Sequence, residues 1–205
     1  MRRGELEMTD KLELENILRE TEWVTLTLHT GDDWHYSVPM NHAYADGMLA
    51  FHCAHSGKRI SLIKQDARVQ YTTVQEHSMI PSCSISGDNA SGATQFFRSV
   101  MVWGRTRIIE DVAEKARLLT ALMQQRQLEG GYAEILSDSP GYAAMLRQVC
   151  VIAVTPESLT GKFKFGQNLS NEKAEALIAF LQQRNGPKDA ETVRWMRKLG
   201  AAPPA

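Results

Sequence analysis

Alternating apolar and polar positions run through much of the chain and predict β-strands. Aromatic and β-branched residues accompany this alternation at 23–29, 34–44, 48–53, 69–74 and 98–109, and residues 148–154 form a continuous apolar strand that ends at Pro156. Apolar residues three and four positions apart predict helices at 10–20, around 60–63, at 111–128, at 170–183 and in a last segment ending near residue 199. The pattern therefore predicts a mainly β protein with flanking helices.

Turn-forming residues refine this prediction. Asp46-Gly47 is a strong hairpin signal between two predicted strands. Pro39 has no amide donor, so its strand is expected at an edge, a bulge or a break, where a ligand can reach the backbone. Residues 77–97 hold five Ser, two Gly and one Pro without a clear period, and we expect a long functional loop there, a candidate lid over a substrate.

Length and composition favour one folded domain. The chain has 205 residues with 43% hydrophobic and 23% charged positions, typical of a globular protein. We expect one domain, 1–205, with an N-terminal helix in 1–22, a barrel with inserted helices in 23–160 and a helical extension in 161–205. Neither a signal peptide nor a membrane span is expected, and three widely spaced cysteines favour a reducing, cytoplasmic location.

The net charge of −1 argues against binding of nucleic acid or anionic lipid by the protein as a whole. Any bound anion must therefore be held by a local cluster. Lys162-Phe163-Lys164 alternates basic and aromatic residues, but two lysines are too few for a nucleic-acid footprint. The segment is either an ordinary strand with outward lysines or a second contribution to an anion pocket.

Ser56-Gly57-Lys58 is the first candidate for chemistry. It follows a predicted strand and opens a predicted helix, where free amides and the positive end of the helix dipole favour a phosphate. Ser56 would supply a hydroxyl and Lys58 a counter-charge. The alternative is an ordinary helix N-cap with a solvated lysine.

His52 and His55 have a spacing that a metal pair could use, but on a strand it places the two side chains on opposite faces. No metal site is predicted. His52 is instead a candidate hydrogen-bond donor or proton relay facing a pocket, with a histidine bonded to local backbone as the alternative. The chain has no Gly-x-Gly-x-x-Gly, Walker, Gly-x-Ser-x-Gly or His-Glu-x-x-His motif. Nucleotide hydrolysis and serine-hydrolase chemistry therefore lack their usual residues.

Several short segments, taken in order, resemble the FMN-binding split-barrel proteins related to pyridoxamine 5′-phosphate oxidase. Within that family the chain is most similar to the nitroimidazole-resistance (Nim) branch. The similarity spans about residues 8–161, and residues 161–168 resemble a C-terminal motif of the PaiB-like flavin-binding regulators. The segments that carry it are 36–40, 51–58, 68–69, 98–104 and 110–115.

The resemblance implies an antiparallel split β-barrel that forms a homodimer and holds FMN at the subunit interface. It matches Ser56, Gly57 and Lys58 to the phosphate turn. The other cofactor-binding residues that it implies are Val38, Pro39 and Met40 along the ring edge, Arg98 and Ser99 on the other side of the cofactor, Phe51, and Lys164 and Gln167 in the tail. His52 is the implied catalytic residue at the flavin face. The arginine-rich substrate site and the Arg-Leu-x-Pro ending of pyridoxamine-phosphate oxidases are absent, so vitamin B6 oxidation is not the expected reaction.

We expect an FMN-dependent oxidoreductase of the nitroreductase or quinone-reductase type, passing hydride from a nicotinamide donor through flavin N5 to a small acceptor. A non-catalytic flavin-binding regulator of the PaiB-like type is the alternative. A weaker third hypothesis is a haem-handling protein with His52, His55 or His77 as axial ligands. The sequence leaves the acceptor and the choice between NADH and NADPH open.

Overall fold

A computed structural model describes residues 3–200 of the protein. Its strands are β1 (Glu7–Met8), β2 (Trp23–His29), β3 (His35–Asn41), β4 (Ala43–Ala45), β5 (Met48–Cys53), β6 (Arg68–Ile80), β7 (Thr94–Ile109) and β8 (Cys150–Lys164). Its helices are α1 (Lys11–Glu20), α2 (Lys58–Gln65), α3 (Val112–Arg126), α4 (Ala143–Gln148), α5 (Asn171–Arg184) and α6 (Asp189–Lys198), with 3₁₀ turns at Gly4–Leu6, Ser82–Ser84 and Ala90–Gly92. Within the described residues, no helix is long and apolar enough to cross a membrane.

The strands form one antiparallel sheet in the order β3-β2-β6-β7-β8-β5-β4, and β1 pairs with β8. This architecture confirms the predicted antiparallel split-barrel fold with flanking helices. β4 and β5 form the hairpin expected at Asp46-Gly47, with Ala45 opposite Met48. β3 lies at one end of the strand order and pairs with β2. Pro39 is therefore on an edge strand, as its missing amide predicts.

The helices begin where the sequence places capping residues. The Asp10 carboxylate accepts from the Leu12 and Glu13 amides at the start of α1, and the Asp111 carboxylate accepts from the Glu114 amide at the start of α3. Both helices bury one apolar face. Capping and amphipathic spacing together explain why these two helices were predictable from sequence.

The chain divides into two compact units. The larger comprises Asp10–Thr73 and Val100–Thr160, and the smaller comprises the described residues of Met1–Thr9, Val74–Ser99 and Gly161–Ala205. In the larger unit, β4, β5 and β8 pack one face against α3 and α4 through Ala50, Leu119, Leu146 and Val151. In the smaller unit, Phe163, Phe165 and Trp195 form an aromatic core, with ring centroids 5.4–5.7 Å apart between Trp195 and the two phenylalanines. Division into the predicted segments 1–22, 23–160 and 161–205 stays a prediction.

The expected loop at 77–97 is much shorter than predicted. Residues 77–80 belong to β6 and 94–97 to β7, so the irregular segment covers only 81–93 with its two 3₁₀ turns. The prediction failed because His77 and Ser78 are polar yet buried. Ser78 donates its hydroxyl to Asp189 at 2.6 Å, and its amide donates to Thr192 at 3.1 Å. These partners lie more than 100 residues away, so the local pattern could not indicate a buried strand.

The predicted strand end at Pro156 is also wrong, because β8 continues to Lys164. Two features accompany the extension. Gly161 and Lys162 pair with Met8 and Glu7 of β1, a two-residue strand that the pattern did not indicate. Next to Pro156, the backbone of Gly104 in β7 lies very close to β8. A Cβ on residue 104 would overlap the carbonyl oxygen of Thr155. Helix α4 was also missed, since six residues are too few for a helical period to stand out.

Candidate functional site

The turn between β5 and α2 has the backbone that the phosphate prediction requires. Gly57 is the N-cap of α2 and adopts φ 108°, ψ 169°, a conformation that essentially only glycine tolerates. No described side chain caps this helix end, and its first turn holds no acidic residue. The prediction of an ordinary serine N-cap is therefore wrong. Among the described residues, no side chain caps the first turn of α2, and the carboxylate that senses it is Asp32, whose pKa the Lys58 charge helps to lower after its hydrogen bonds with Thr30 and Trp34.

Two cations occupy the first turn of α2. Lys58 is exposed, and its Nζ lies 5.0 Å from the centre of the Tyr36 ring of β3. The Arg59 guanidinium lies 5.9 Å from the centre of the Phe51 ring of β5. The sequence prediction missed Arg59. Its position directly after Lys58 in Ser-Gly-Lys-Arg is the signal that could have found it.

Residues predicted to meet the flavin ring converge inside the larger unit. The Phe51 and Tyr71 rings are 6.3 Å apart between centroids, and the Tyr71 hydroxyl donates to the Met40 sulfur at 3.8 Å. Burial raises the pKa of Tyr71 well above its usual value, so this hydroxyl stays protonated at neutral pH. Val38 and Pro39 precede Met40 on the edge strand β3 and are half-buried and exposed, respectively. The structure thus brings β3, β5 and α2 to one region through these contacts.

His52 lies on the opposite face of β5 from Phe51. Successive strand residues point to opposite faces, and His52 lines an apolar pocket of about 240 Å³ with residues of α3, α4 and the segment between them. The pocket-lining residues include Leu119, Leu122, Met123, Tyr132, Ile135, Tyr142 and Met145. The structure therefore places the predicted catalytic residue, His52, and Phe51 on different faces of β5.

His55 is exposed in the turn beyond β5. Among residues 3–200, no cluster of three or more His, Cys, Asp or Glu side chains could hold a metal.

Arg98 is buried in the smaller unit, where its guanidinium has several partners. Nε donates to His77 Nε2 at 3.2 Å, the Gln75 side-chain oxygen accepts a short hydrogen bond, and Glu191 lies at 3.5 Å. The guanidinium also lies 4.4 Å from the centre of the Trp195 ring. These contacts fix Arg98 to α6 and β6, partners that the sequence did not indicate.

The other predicted residues of the smaller unit also have local partners. Ser99 donates to the Lys162 carbonyl at 3.4 Å, and Lys164 contacts the Thr94 hydroxyl. Burial, and then the positive charge of Lys162, lower the pKa of Lys164. Gln167 accepts from the Phe165 amide at 2.8 Å and donates to the Phe163 carbonyl at 2.7 Å. Gln167 therefore holds the turn after β8 in shape. Phe163 is buried between the half-buried Lys162 and Lys164, as expected for an ordinary strand.

Comparison of the chain with models of known protein families identifies its family. The family model for pyridoxamine 5′-phosphate oxidase matches residues 10–163, about three quarters of the chain. The chain belongs to this family. The match ends at the C-terminus of β8, so helices α5 and α6 lie outside it. A search of curated protein sequences found no match.

Three solved structures illustrate the shared fold. A candidate 5-nitroimidazole antibiotic resistance protein from Bacteroides thetaiotaomicron is 22% identical, with a TM-score of 0.62 over 76% of this chain and 85% of that one. The flavocytochrome Anf3 from Azotobacter vinelandii is 18% identical, with a TM-score of 0.62 over 78% and 70%. An FAD- and haem-binding protein from Mycobacterium smegmatis is 14% identical, with a TM-score of 0.63 over 83% and 80%. At these identities the comparison establishes the fold.

Proposed function

We propose that the protein is an FMN-binding flavoprotein that works as an FMN-dependent oxidoreductase. The observation that carries the proposal is the start of α2, where a glycine with φ 108° and two basic side chains stand in place of a capped helix end. Anions bind at such ends because backbone amides and the helix dipole both favour negative charge. Family membership and the names of the structural relatives, which include flavin-binding proteins, support the same cofactor class.

The phosphate group is assigned to Ser56, Gly57 and Lys58, with Arg59 as an added cation. Lys58 is exposed, so its ammonium group can turn toward a ligand without breaking a buried contact. Because Lys58 is exposed, its contact with the half-buried Tyr36 ring contributes only about 0.5–1 kcal/mol and opposes this movement weakly.

The flavin ring is assigned to the edge strand β3, along Val38, Pro39 and Met40, with Phe51 beneath. β3 has β2 as its neighbour on one side in the strand order, so backbone carbonyls on its other side can accept from the imide edge of the ring. Pro39 offers a carbonyl without a competing amide donor. Arg98, Ser99, Lys164 and Gln167 remain predicted cofactor contacts from the family resemblance. Their local partners in the smaller unit do not themselves point to a flavin.

When bound, the flavin supplies the hydride chemistry at N5, with a nicotinamide as the proposed donor and a small organic molecule as the proposed acceptor. His52 remains the catalytic residue that the family resemblance implies. Its apolar pocket of about 240 Å³ lies on the face of β5 opposite Phe51, so the proposed acceptor is assigned to the exposed face of the flavin ring and not to this pocket. We also propose a homodimer with FMN at the interface, without nucleic acid or membrane partners.

The phosphate assignment is tested by Ser56→Ala with Lys58→Ala. We expect this double variant to lose about 1.5–3 kcal/mol of FMN binding, because one charge-assisted hydrogen bond has that value. Binding is measured by flavin fluorescence, and FAD is titrated beside FMN. Lys64→Ala removes an exposed lysine from the last turn of the same helix and should leave affinity unchanged. Equal FMN affinity in the double variant and wild type would contradict the assignment.

Catalysis is tested by anaerobic addition of NADH or NADPH to the flavin-loaded protein. Bleaching of the flavin absorbance supports the oxidoreductase. In His52→Ala we expect unchanged FMN binding and altered acceptor reduction. Loss of flavin from this variant would count against a substrate role for His52. Dimerisation is checked by light scattering with and without FMN.

A non-catalytic regulator of the PaiB-like type is the second candidate. Helices α5 and α6 favour it, because they extend the chain beyond the residues that match the family model. A loaded flavin that neither nicotinamide reduces would favour this candidate. An intense Soret band from purified protein would instead indicate haem.

A further inference from the structure

Two of the three cysteines meet across the sheet, although about a hundred residues separate them in the sequence. Cys53 is the last residue of β5 and Cys150 is the first residue of β8, and the antiparallel register places them directly opposite each other. Residues paired in this way have Cα atoms about 4.5–5.5 Å apart, within the range of about 4.4–6.8 Å that a disulfide bridges. The third cysteine, Cys83, is exposed in the segment between β6 and β7.

The side chains of this pair also interact. Directly opposite residues of an antiparallel pair project from the same face of the sheet. Burial, and then the charge and a side-chain hydrogen bond of Cys150, raise the pKa of Cys53 to about 11, against the opposing charge of Arg59 on α2. Burial, opposed by Arg59 and aided by Cys53, likewise raises the pKa of Tyr71 on β6. The two thiols therefore face each other on the side of β5 that carries Phe51.

The two thiols differ in their access to solvent. Cys53 is half-buried, whereas only 1% of the surface of Cys150 is exposed. A dissolved oxidant therefore reaches Cys53 first, and Cys150 is the neighbouring thiol that can complete the reaction without meeting the oxidant itself. Both cysteines stand at strand ends. Strand ends open more readily than strand centres, which eases the small adjustment that a disulfide requires.

The raised pKa of Cys53 slows such chemistry but does not oppose its product. The thiolate is the attacking species, so the reaction of Cys53 is slow at neutral pH. Strongly oxidising disulfides are those whose reduced form is stabilised. At Cys53, burial disfavours the ionised sulfur, so the reduced pair gains no stabilisation of that kind. A disulfide carries no charge and suits this largely buried position.

We propose that Cys53 and Cys150 form a redox-active dithiol, which a low-molecular-weight disulfide oxidises to a cross-strand disulfide. In the first step the Cys53 thiolate attacks one sulfur of the oxidant, forms a mixed disulfide and releases one small thiol. Cys150 then loses its proton, attacks the Cys53 sulfur and releases the second small thiol. The protein gives up two electrons and two protons, and the oxidant is reduced to two thiols.

The test equilibrates the full chain, carrying Cys83→Ser so that only the pair remains, with reduced and oxidised glutathione at about pH 8.5, where more thiolate is present. Samples are quenched with acid and unfolded, free thiols are alkylated with N-ethylmaleimide, and intact mass counts the adducts. We expect both thiols to disappear together and the unalkylated mass to fall by about 2 Da. Peptide mapping should find Cys53 linked to Cys150, and dithiothreitol should restore both thiols.

Two further variants separate disulfide closure from simple thiol reactivity. Cys150→Ala keeps the accessible thiol and removes its partner, so oxidation should stop at a mixed disulfide on Cys53. Cys53→Ser leaves only the buried thiol, which should stay reduced. At a fixed concentration of reduced glutathione, the intact pair should be half-oxidised at a concentration of glutathione disulfide at least about tenfold below that which Cys150→Ala requires, because closure within one chain has a high effective concentration.

Three results would overturn the proposal. The first is a stable mixed disulfide on Cys53 while Cys150 is present, and the second is a cross-link between two chains instead of within one. The third is persistence of both thiols after the chain has been unfolded in urea and refolded in the same buffer, a step that removes the limit on access. No readout uses a flavin, so failure of FMN binding would leave the result unaffected.

Discussion

The start of α2 in the larger unit and the His77–Arg98 cluster in the smaller unit both concentrate basic groups, but they satisfy them differently. At the start of α2, no described side chain caps the backbone amides of the first turn, and Lys58 is exposed. In the smaller unit, Arg98 is buried and bonded to Gln75, His77 and Glu191. The first arrangement keeps donors for an outside anion. The second uses its donors to hold helix α6 against strands β6 and β7.

The difference follows from the cost of burying charge. An exposed cation is solvated and needs no protein partner, whereas a buried one is costly unless it is paired and hydrogen-bonded. Mutations in the smaller unit should therefore change stability first, and mutations at α2 should change ligand affinity first.

The largest effect is expected from Asp189→Ala. Arg184, then Ser78 and Gly186, hold the pKa of Asp189 far below its usual value despite burial, so it is ionised in the folded protein. Arg184 is itself exposed, so the loss comes from the charge-assisted hydrogen bonds of the buried carboxylate, each of which contributes about 1.5–3 kcal/mol. Urea unfolding measures this loss. Glu76→Ala breaks an exposed pair with Lys188 and should cost less than about 1 kcal/mol. Similar losses in both variants would contradict the contrast between buried and exposed charges.

Stability should fall as the pH is lowered from about 6.5 to 4. Burial lowers the pKa of His42 in the larger unit, and of His77 in the smaller unit, to about 4. In this window the unfolded chain binds protons that the folded protein excludes, so the free energy of unfolding rises with pH. Each histidine contributes a slope of up to about 1.4 kcal/mol per pH unit.

Three variants separate these contributions in urea unfolding at several pH values. His42→Gln preserves a donor for the Leu18 carbonyl, which His42 Nε2 reaches at 2.6 Å, and should remove one part of the slope. His77→Asn should remove the other part. His55→Asn, at an exposed position, should leave the slope unchanged. A wild-type stability that is flat between pH 4 and 6.5 would contradict the assignment.

A smaller effect is expected from Gly57→Ala. An added Cβ meets nothing within 4 Å, so the cost comes from the backbone conformation and should be about 1–3 kcal/mol. Because α2 would start differently, FMN affinity should fall as well. Gly4→Ala also adds a methyl group in open space, but without a positive φ, and should change neither quantity. A Gly57→Ala protein with wild-type stability would show that the turn relaxes freely.

Local patterns predicted the elements whose signals lie within a few residues. Asp10 and Asp111 marked the starts of α1 and α3, and Asp46-Gly47 marked the β4–β5 hairpin. The Gly57 turn was predictable for the same reason. The prediction failed at His77 and Ser78, whose partners come from α6, and at Pro156, which β8 passes without ending.

The sequence by itself determined the family, the antiparallel sheet with its flanking helices, and the glycine turn that opens α2, because these depend on local conformational preference and short motifs. Tertiary structure decided which side chains became partners. It placed His52 and Phe51 on opposite faces of β5, and it buried Arg98 against Trp195 and His77. Within residues 3–200, it also left His77 Nδ1 without a hydrogen-bond partner. Such pairings depend on the distant segments that meet in the folded chain, where each buried polar group must find a partner or remain costly.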